Sequence, residues 1–345
     1  MPITRSEVLF RTGKNTTQTT AHGGKMDWQS EVPNAVLSAF ISDFTQAERT
    51  AGATRWYKIF LHNADDGNLA ATDVLAYLSK TLTGDYVASL KSATLSNTYN
   101  DVSAARKFGV GTLATALSPG DSTIVIDTRG AAYAHFQNGD EIIIHNKAGA
   151  GNTGVDDNTG AIEKHVISGA PVWNGDEVTI TLVGQIASTF ATSRTVGGET
   201  VLTYVASCPP SADAETSVTV QNNTSVAGTL DVNEISAPNI GAIDQTITLT
   251  FTSGTAFTAV SNDAGVTLPA GSISTTYAPL NSESGTALIS IPPTAWGGTF
   301  LAGDSVQVPT TPAAFAFFLI VECPAGASAT QETVDLRFYL YSGSA

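Results

Sequence analysis

The chain has little of what chemistry usually needs. It holds two cysteines in 345 residues, and only 14% of its residues are charged, against about 25% in an ordinary soluble protein. Cys208 and Cys323 are far apart, and each is followed by proline. A secreted β protein of this size would often carry several disulfides, so two buried thiols made in a reducing cytoplasm are expected, with a single Cys208–Cys323 pair as the alternative. Basic residues are scarcer than acidic ones, 16 against 31, for a formal charge of −15. The longest basic feature is the pair Arg106-Lys107. That excludes the clustered lysine and arginine a nucleic-acid partner requires and disfavours an anionic membrane surface. No run approaches the roughly 18 apolar residues of a membrane span, and the N-terminus does not read as a signal peptide. Expected partners are therefore other proteins and copies of the chain itself, without nucleic acid or membrane.

The motifs of catalysis and cofactor binding are equally thin. Gly149-Ala-Gly-Asn-Thr-Gly spells a dinucleotide fingerprint, but Val155-Asp156-Asp157-Asn follows where a phosphate-binding helix should start. The segment reads as a long exposed loop. Asp65-Asp-Gly-Asn and Asp156-Asp157-Asn lack the spacing of a calcium loop and read as turns. The five histidines, His22, His62, His135, His145 and His165, show no zinc-ligand spacing. No nucleophile elbow is present. We expect no enzyme, cofactor or metal.

What the chain does have is strand pattern. Trp56, Lys58, Phe60 and His62 alternate with Tyr57, Ile59 and Leu61. Large groups on both faces predict a strand buried on both sides. Asp73 to Leu78 follows after a turn, and the pair reads as a hairpin. Three turns ending in Gly-Asp, at Ser118, Asn138 and Asn174, each feed a short apolar strand. This predicts a compact all-β unit over residues 106–206. Thr246, Thr248 and Thr250 alternate with Ile247, Leu249 and Phe251, giving one wet and one dry face. The segment from Trp56 to Leu78 is also echoed by that from Ala316 to Leu340. The predicted fold is all-β and multidomain, built from sandwich or barrel-like units. It comprises an N-terminal arm with first strands (1–54), a hairpin region (55–105) packing with a C-terminal sandwich (207–345), and a small all-β domain (106–206) inserted between them.

Several segments resemble virion structural proteins of tailed bacteriophages, Mu-like phages included. Gln46-Ala-Glu-Arg-Thr-Ala-Gly-Ala-Thr-Arg-Trp-Tyr-Lys-Ile-Phe-Leu-His-Asn is similar to a strand in those chains that reads Tyr-Arg-Lys-Ile-Phe. This chain has Trp56-Tyr57-Lys58 there. Asn239 to Ser253, Trp296-Gly-Gly-Thr-Phe-Leu-Ala-Gly-Asp-Ser-Val, and the Asn138-Gly-Asp and Asn174-Gly-Asp strands are of the same kind. The resemblance implies a non-enzymatic subunit, assembled in the host cytoplasm and carried in the virion. A tail, baseplate or neck position is expected, with capsid decoration as the alternative. A carbohydrate-binding or adhesin module, using Trp296 as a stacking platform, is the reading from another class. The interaction residues expected are Trp28, Asp156, Asp157 and Trp296. The elements that would carry them are the arm from Met1 to Trp28, taken as dispensable for folding, and the loop Gly149 to Gly160.

Overall fold

A computed structural model describes residues 3, 5–32, 41–82, 84–128, 135–148, 159–329, 334 and 336–342. Its regular secondary structure is nearly all strand. β1 (Val8–Asn15), β2 (Gly23–Glu31), β3 (Ala53–Asn63), β4 (Ala71–Leu78) and β5 (Val87–Ser92) come first. β6 (Val110–Leu113), β7 (Thr123–Asp127), β8 (Glu141–His145), β9 (Ile162–Ile167), β10 (Val172–Asn174) and β11 (Glu177–Val183) follow. Next are β12 (Ser193–Val196), β13 (Glu199–Leu202), β14 (Tyr204–Ser207) and β15 (Ala212–Ala214). The last group is β16 (Ser217–Val218), β17 (Thr229–Leu230), β18 (Gln245–Phe251), β19 (Ala256–Ser261), β20 (Gly271–Ser272), β21 (Trp296–Gly297), β22 (Ser305–Thr311), β23 (Ala314–Cys323) and β24 (Leu336–Ser342). Two short helices, α1 (Gln46–Ala51) and α2 (Tyr99–Val102), interrupt the strands.

These strands build three units. The first is a sandwich of a five-stranded sheet, β2-β1-β3-β23-β5, and a three-stranded sheet, β15-β4-β24. Its core holds Tyr57, Ile59 and Leu61 from β3, Phe317 and Leu319 from β23, and Leu75 and Tyr77 from β4. The second is a barrel of six strands, closed because β11 pairs with both β7 and β9. The turns ending in Gly-Asp feed β7, β8 and β11, all staves of this barrel. The third is a five-stranded sheet, β16-β22-β18-β19-β20, whose dry face is Ile247, Leu249, Phe251, Val306 and Val308.

Both later units are insertions into the first sandwich. The chain leaves β5 for the barrel, returns as β15, leaves again for the third unit, and returns as β23 and β24. Residues 207–345 are thus not one sandwich. β23 pairs along its whole length with β3, from Ala314↔His62 to Cys323↔Ala53, and β24 pairs with β4. The two echoed segments therefore lie antiparallel against each other in both layers. This also corrects the expected hairpin. β3 and β4 do not pair, because β23 occupies the edge of β3 and the chain crosses to the opposite layer. The phage-like segment that begins at Gln46 opens on a helix, α1. Its start carries a capping box, with Thr45 accepting from Glu48 N–H and the Glu48 carboxylate accepting from Thr45 N–H. Both cysteines are buried and unpaired.

The second face of the five-stranded sheet is apolar too, as the two-sided pattern of β3 requires. Residues 93–105 cover it. Val102 packs on Phe318 and Ile320, and Leu95 packs near Phe60. Trp56 and Tyr99 stack at 4.0 Å with their planes 1° apart.

Candidate interaction surfaces and the fate of buried charge

Three buried cations hold this covering layer and the N-terminal strands. Lys58, 1% exposed, points from β3 into the second face. Its Nζ lies 2.7 Å from the carbonyl of Gly24, 3.0 Å from Thr94, 3.1 Å from Leu95 and 2.7 Å from Asn97. The rings of Phe60 and Phe318 flank it. Gly23, at φ +102°, permits the close approach, since a Cβ there would sit 2.9 Å from the Lys58 stem. Burial pulls this ammonium down from its ordinary value to about 7, while Asp244 and Asp101 pull it up. The four carbonyl oxygens also favour its charged form. Lys91 donates to Val102 and Ser103, capping the carbonyls at the end of α2. Arg11 on β1 donates to the Trp28 carbonyl at 2.5 Å and to His62 Nδ1 at 3.1 Å.

His62 is 2% exposed. Because Nδ1 accepts from Arg11, the ring proton sits on Nε2, which donates to the Asn239 carbonyl at 2.9 Å. The Asn239 side chain bonds to Leu69 and Thr216, and its N–H bonds to Asn68. This chain of bonds joins the first sandwich to the third unit. Burial above all, with Arg11 adding to it against the Asn239 bond, holds His62 down at about 4. Below its ordinary value of about 6.5, the unfolded chain takes up a proton that the folded chain refuses, so stability falls as pH drops from about 6.5 to 4. The loss expected from His62 alone is about 3 kcal/mol. Urea unfolding at pH 7 and pH 4.5, compared with His62→Gln, measures it. The variant keeps a donor and an acceptor but no titration, so its curve should lose that part of the slope. An identical pH dependence in both proteins would refute the assignment.

The N-terminal segment is not an arm. β1 pairs with β3, from Val8↔Asn63 to Thr12↔Ile59, and Trp28 is 5% exposed within the core of the third unit. Trp28 is therefore an internal anchor, not an exposed contact, and removal of residues 1–28 would strip the sheet. Electrostatics point the same way. Between Arg194 and Arg337 the chain carries no lysine or arginine. The third unit takes its counter-charges from the N-terminal strands, with Lys14 paired to Asp263 and Lys25 to Asp244 at 2.9 Å. That gap in basic residues was readable in the sequence and is the signal that would have found this docking.

Trp296 is half-buried. Its ring meets Phe251, Phe257 and Phe300 at 5.5–5.8 Å between centroids, so an aromatic cluster engages the expected stacking platform. Asp156 and Asp157 lie outside the described residues. The Asp65-Asp66 turn does bring Glu7 alongside, with the three carboxylates within 4.8 Å of one another. Asp65 uses an oxygen to accept from Leu69 N–H at 2.7 Å, which fixes the turn.

The outward faces divide by charge. On the third unit the wet side of β18 shows Thr246, Thr248 and Thr250. Beside it β19 shows Thr258 and Val260, the latter 64% exposed, and β22 shows Ser305, Gln307 and Pro309. None of the five strands of this sheet contains an ionisable residue. At one end of the same unit, the exposed side chains of Val226 and Leu301 sit on neighbouring loops joined through Ser225 and the Thr299 carbonyl. On the barrel, β10 is an edge strand with Val172 and Trp173 exposed.

Comparison with protein-family models, with curated proteins and with solved structures finds no match to this chain, so the reading of its function rests on its own residues.

Proposed function

We propose that this chain is a non-enzymatic structural subunit of a tailed-bacteriophage virion, placed at the tail, baseplate or neck and acting through symmetric protein–protein contacts. The observation that carries the reading is the use of buried charge. Lys58, Lys91, Arg11 and His62, four buried ionisable groups, are bound to backbone carbonyls or to each other. They tie layers and units together and present no free proton donor to a cleft. The phage-like segment from Gln46 to Asn63 falls on α1 and β3, and β3 is the central strand of the five-stranded sheet. Uncharged outer faces suit assembly, in which contact energy comes from burial rather than ion pairs.

Quantitative mass spectrometry of purified particles tests this. The chain is expected at a fixed ratio to the other virion proteins, matching a symmetric ring or a multiple of one. Its absence from particles, or a variable trace amount, would overturn the proposal.

A further inference from the structure

The wet face of the β16-β22-β18-β19-β20 sheet differs from ordinary protein surface. Soluble surfaces carry about 25–35% charged residues. Here three central strands present Thr246, Thr248, Thr250, Thr258, Ser305 and Gln307 outward, together with Val260 and Pro309, and no charge. The register sets them in rows. Thr248 lies between Val260 and Gln307, and Thr250 lies between Thr258 and Ser305. The acidic residues of this region stand outside the strands, with Asp244 before β18, Asp263 after β19 and Asp304 before β22. Asp244 and Asp263 are already paired with Lys25 and Lys14. Thr250, Thr258 and Val260 are exposed, so the rest of the described chain leaves this part of the face uncovered.

We infer that this face is the contact for a second copy of the chain, sheet against sheet. The inference rests on the assembly reading above and names its surface and partner. Charge selects the occupant. Two chains of charge −15 repel over most of their surfaces, and a self-contact is favoured where neither copy brings a carboxylate. A basic partner would find no carboxylate on this face to pair with. Hydroxyls act as donor and acceptor alike, so a threonine lattice is complementary to itself, as an isologous two-fold contact requires. Short, β-branched side chains lose little freedom on burial. The five strands hold 24 residues in all, which at about 4.8 Å spacing and about 3.3 Å per residue give a projected area on the order of 400 Å². That is about half of the roughly 800 Å² per partner of a standard interface, the size of a weak, reversible contact. A polar contact of that size fits micromolar self-association.

Sedimentation velocity of the full chain across about 1–200 µM, in low and high salt, tests the inference. The wild type should form dimers or larger species with little salt dependence. The double variant Thr250→Glu/Val260→Glu should weaken association at least tenfold, because each copy then sets carboxylates against its partner's. Both positions are exposed, and an unchanged melting temperature would show that the fold survives. Val226→Glu, on another surface, should associate like the wild type. A monomeric wild type at 200 µM, or a double variant that associates normally, would overturn the inference. Particle incorporation of the double variant separates the two claims. Normal incorporation with lost self-association would sink this contact as an assembly surface while leaving the subunit proposal standing. Absence of the wild type itself from particles would sink the subunit proposal.

Discussion

Lys58→Met should destabilise the protein by about 3–5 kcal/mol, the range for removing one partner of a buried charged contact. The methionine would fill much of the space, so the loss would not come from a cavity. It would come from the carbonyls of Gly24, Thr94, Leu95 and Asn97, which now converge on one ammonium. Without it the part-buried carbonyls of Gly24, Thr94 and Leu95 lose this donor and that of Asn97 keeps only the Gly24 N–H, and an unsatisfied buried group costs about 1–3 kcal/mol. The effect should be local before it is global. Residues 93–98 and the start of β2 at Gly23–Gly24 would lose their tie to β3, so amide exchange there should speed up ahead of exchange in β3 and β23. Equilibrium urea unfolding gives the total and hydrogen exchange gives the place. Lys58→Arg keeps the charge but brings a larger head into a site closed by Gly23 and Phe318, so it should recover only part of the loss. If Lys58→Met unfolds within 1 kcal/mol of wild type, the ammonium is not what holds this layer.

That lysine shows how far the sequence could be read. Alternation along Trp56 to His62 correctly called for a strand buried on both faces. It placed Lys58 beside Phe60 and His62 but said nothing of what a buried ammonium would bond to, because the carbonyls come from residues 34 to 39 positions away. The short-range signals worked the same way. Gly-Asp turns marked barrel strands, and the Thr246–Phe251 alternation marked β18. Thr45 and Glu48 hold the spacing of a capping box, a start signal for α1 that a reading centred on strands passes over. Pairing was the harder question. A turn such as Asn63-Ala-Asp-Asp-Gly-Asn fits a hairpin and a crossover between layers equally well. Only the competing edge of β23, some 260 residues on, decides between them. The echo between the two ends of the chain carried that information, because like segments with like two-sided patterns are natural sheet partners.

The same limit explains the error over the N-terminus. Residues 1–28 hold six threonines and no long apolar run, which reads as an arm. What fixes them is long-range: the β1–β3 ladder, the Arg11–His62 bond, and the insertion of Trp28 into a core assembled from residues 230–308. Lone tryptophans are ambiguous for this reason. Trp28 and Trp296 both looked like contact residues, and both belong to the aromatic and aliphatic core of the third unit.

Trp28→Ala should therefore behave as a core deletion and not as a surface change. Truncating a buried tryptophan costs about 3–5 kcal/mol. The site has little means to collapse, because β2 is held in place by β1 on one side and by Lys25–Asp244 on the other. The loss should also uncouple two units. Trp28 reaches the third unit from a strand of the first sandwich, and its own carbonyl accepts from Arg11, which bonds to His62 and so to Asn239. The variant should unfold in two steps, the third unit first, where the wild type unfolds in one. Near-ultraviolet circular dichroism and limited proteolysis across a urea series distinguish these outcomes. Early cleavage in residues 215–311 with β3 and β23 still protected is the expected pattern. A single transition shifted by less than 1 kcal/mol would mean that the N-terminal strands do not brace the third unit, and that its missing basic residues are compensated elsewhere.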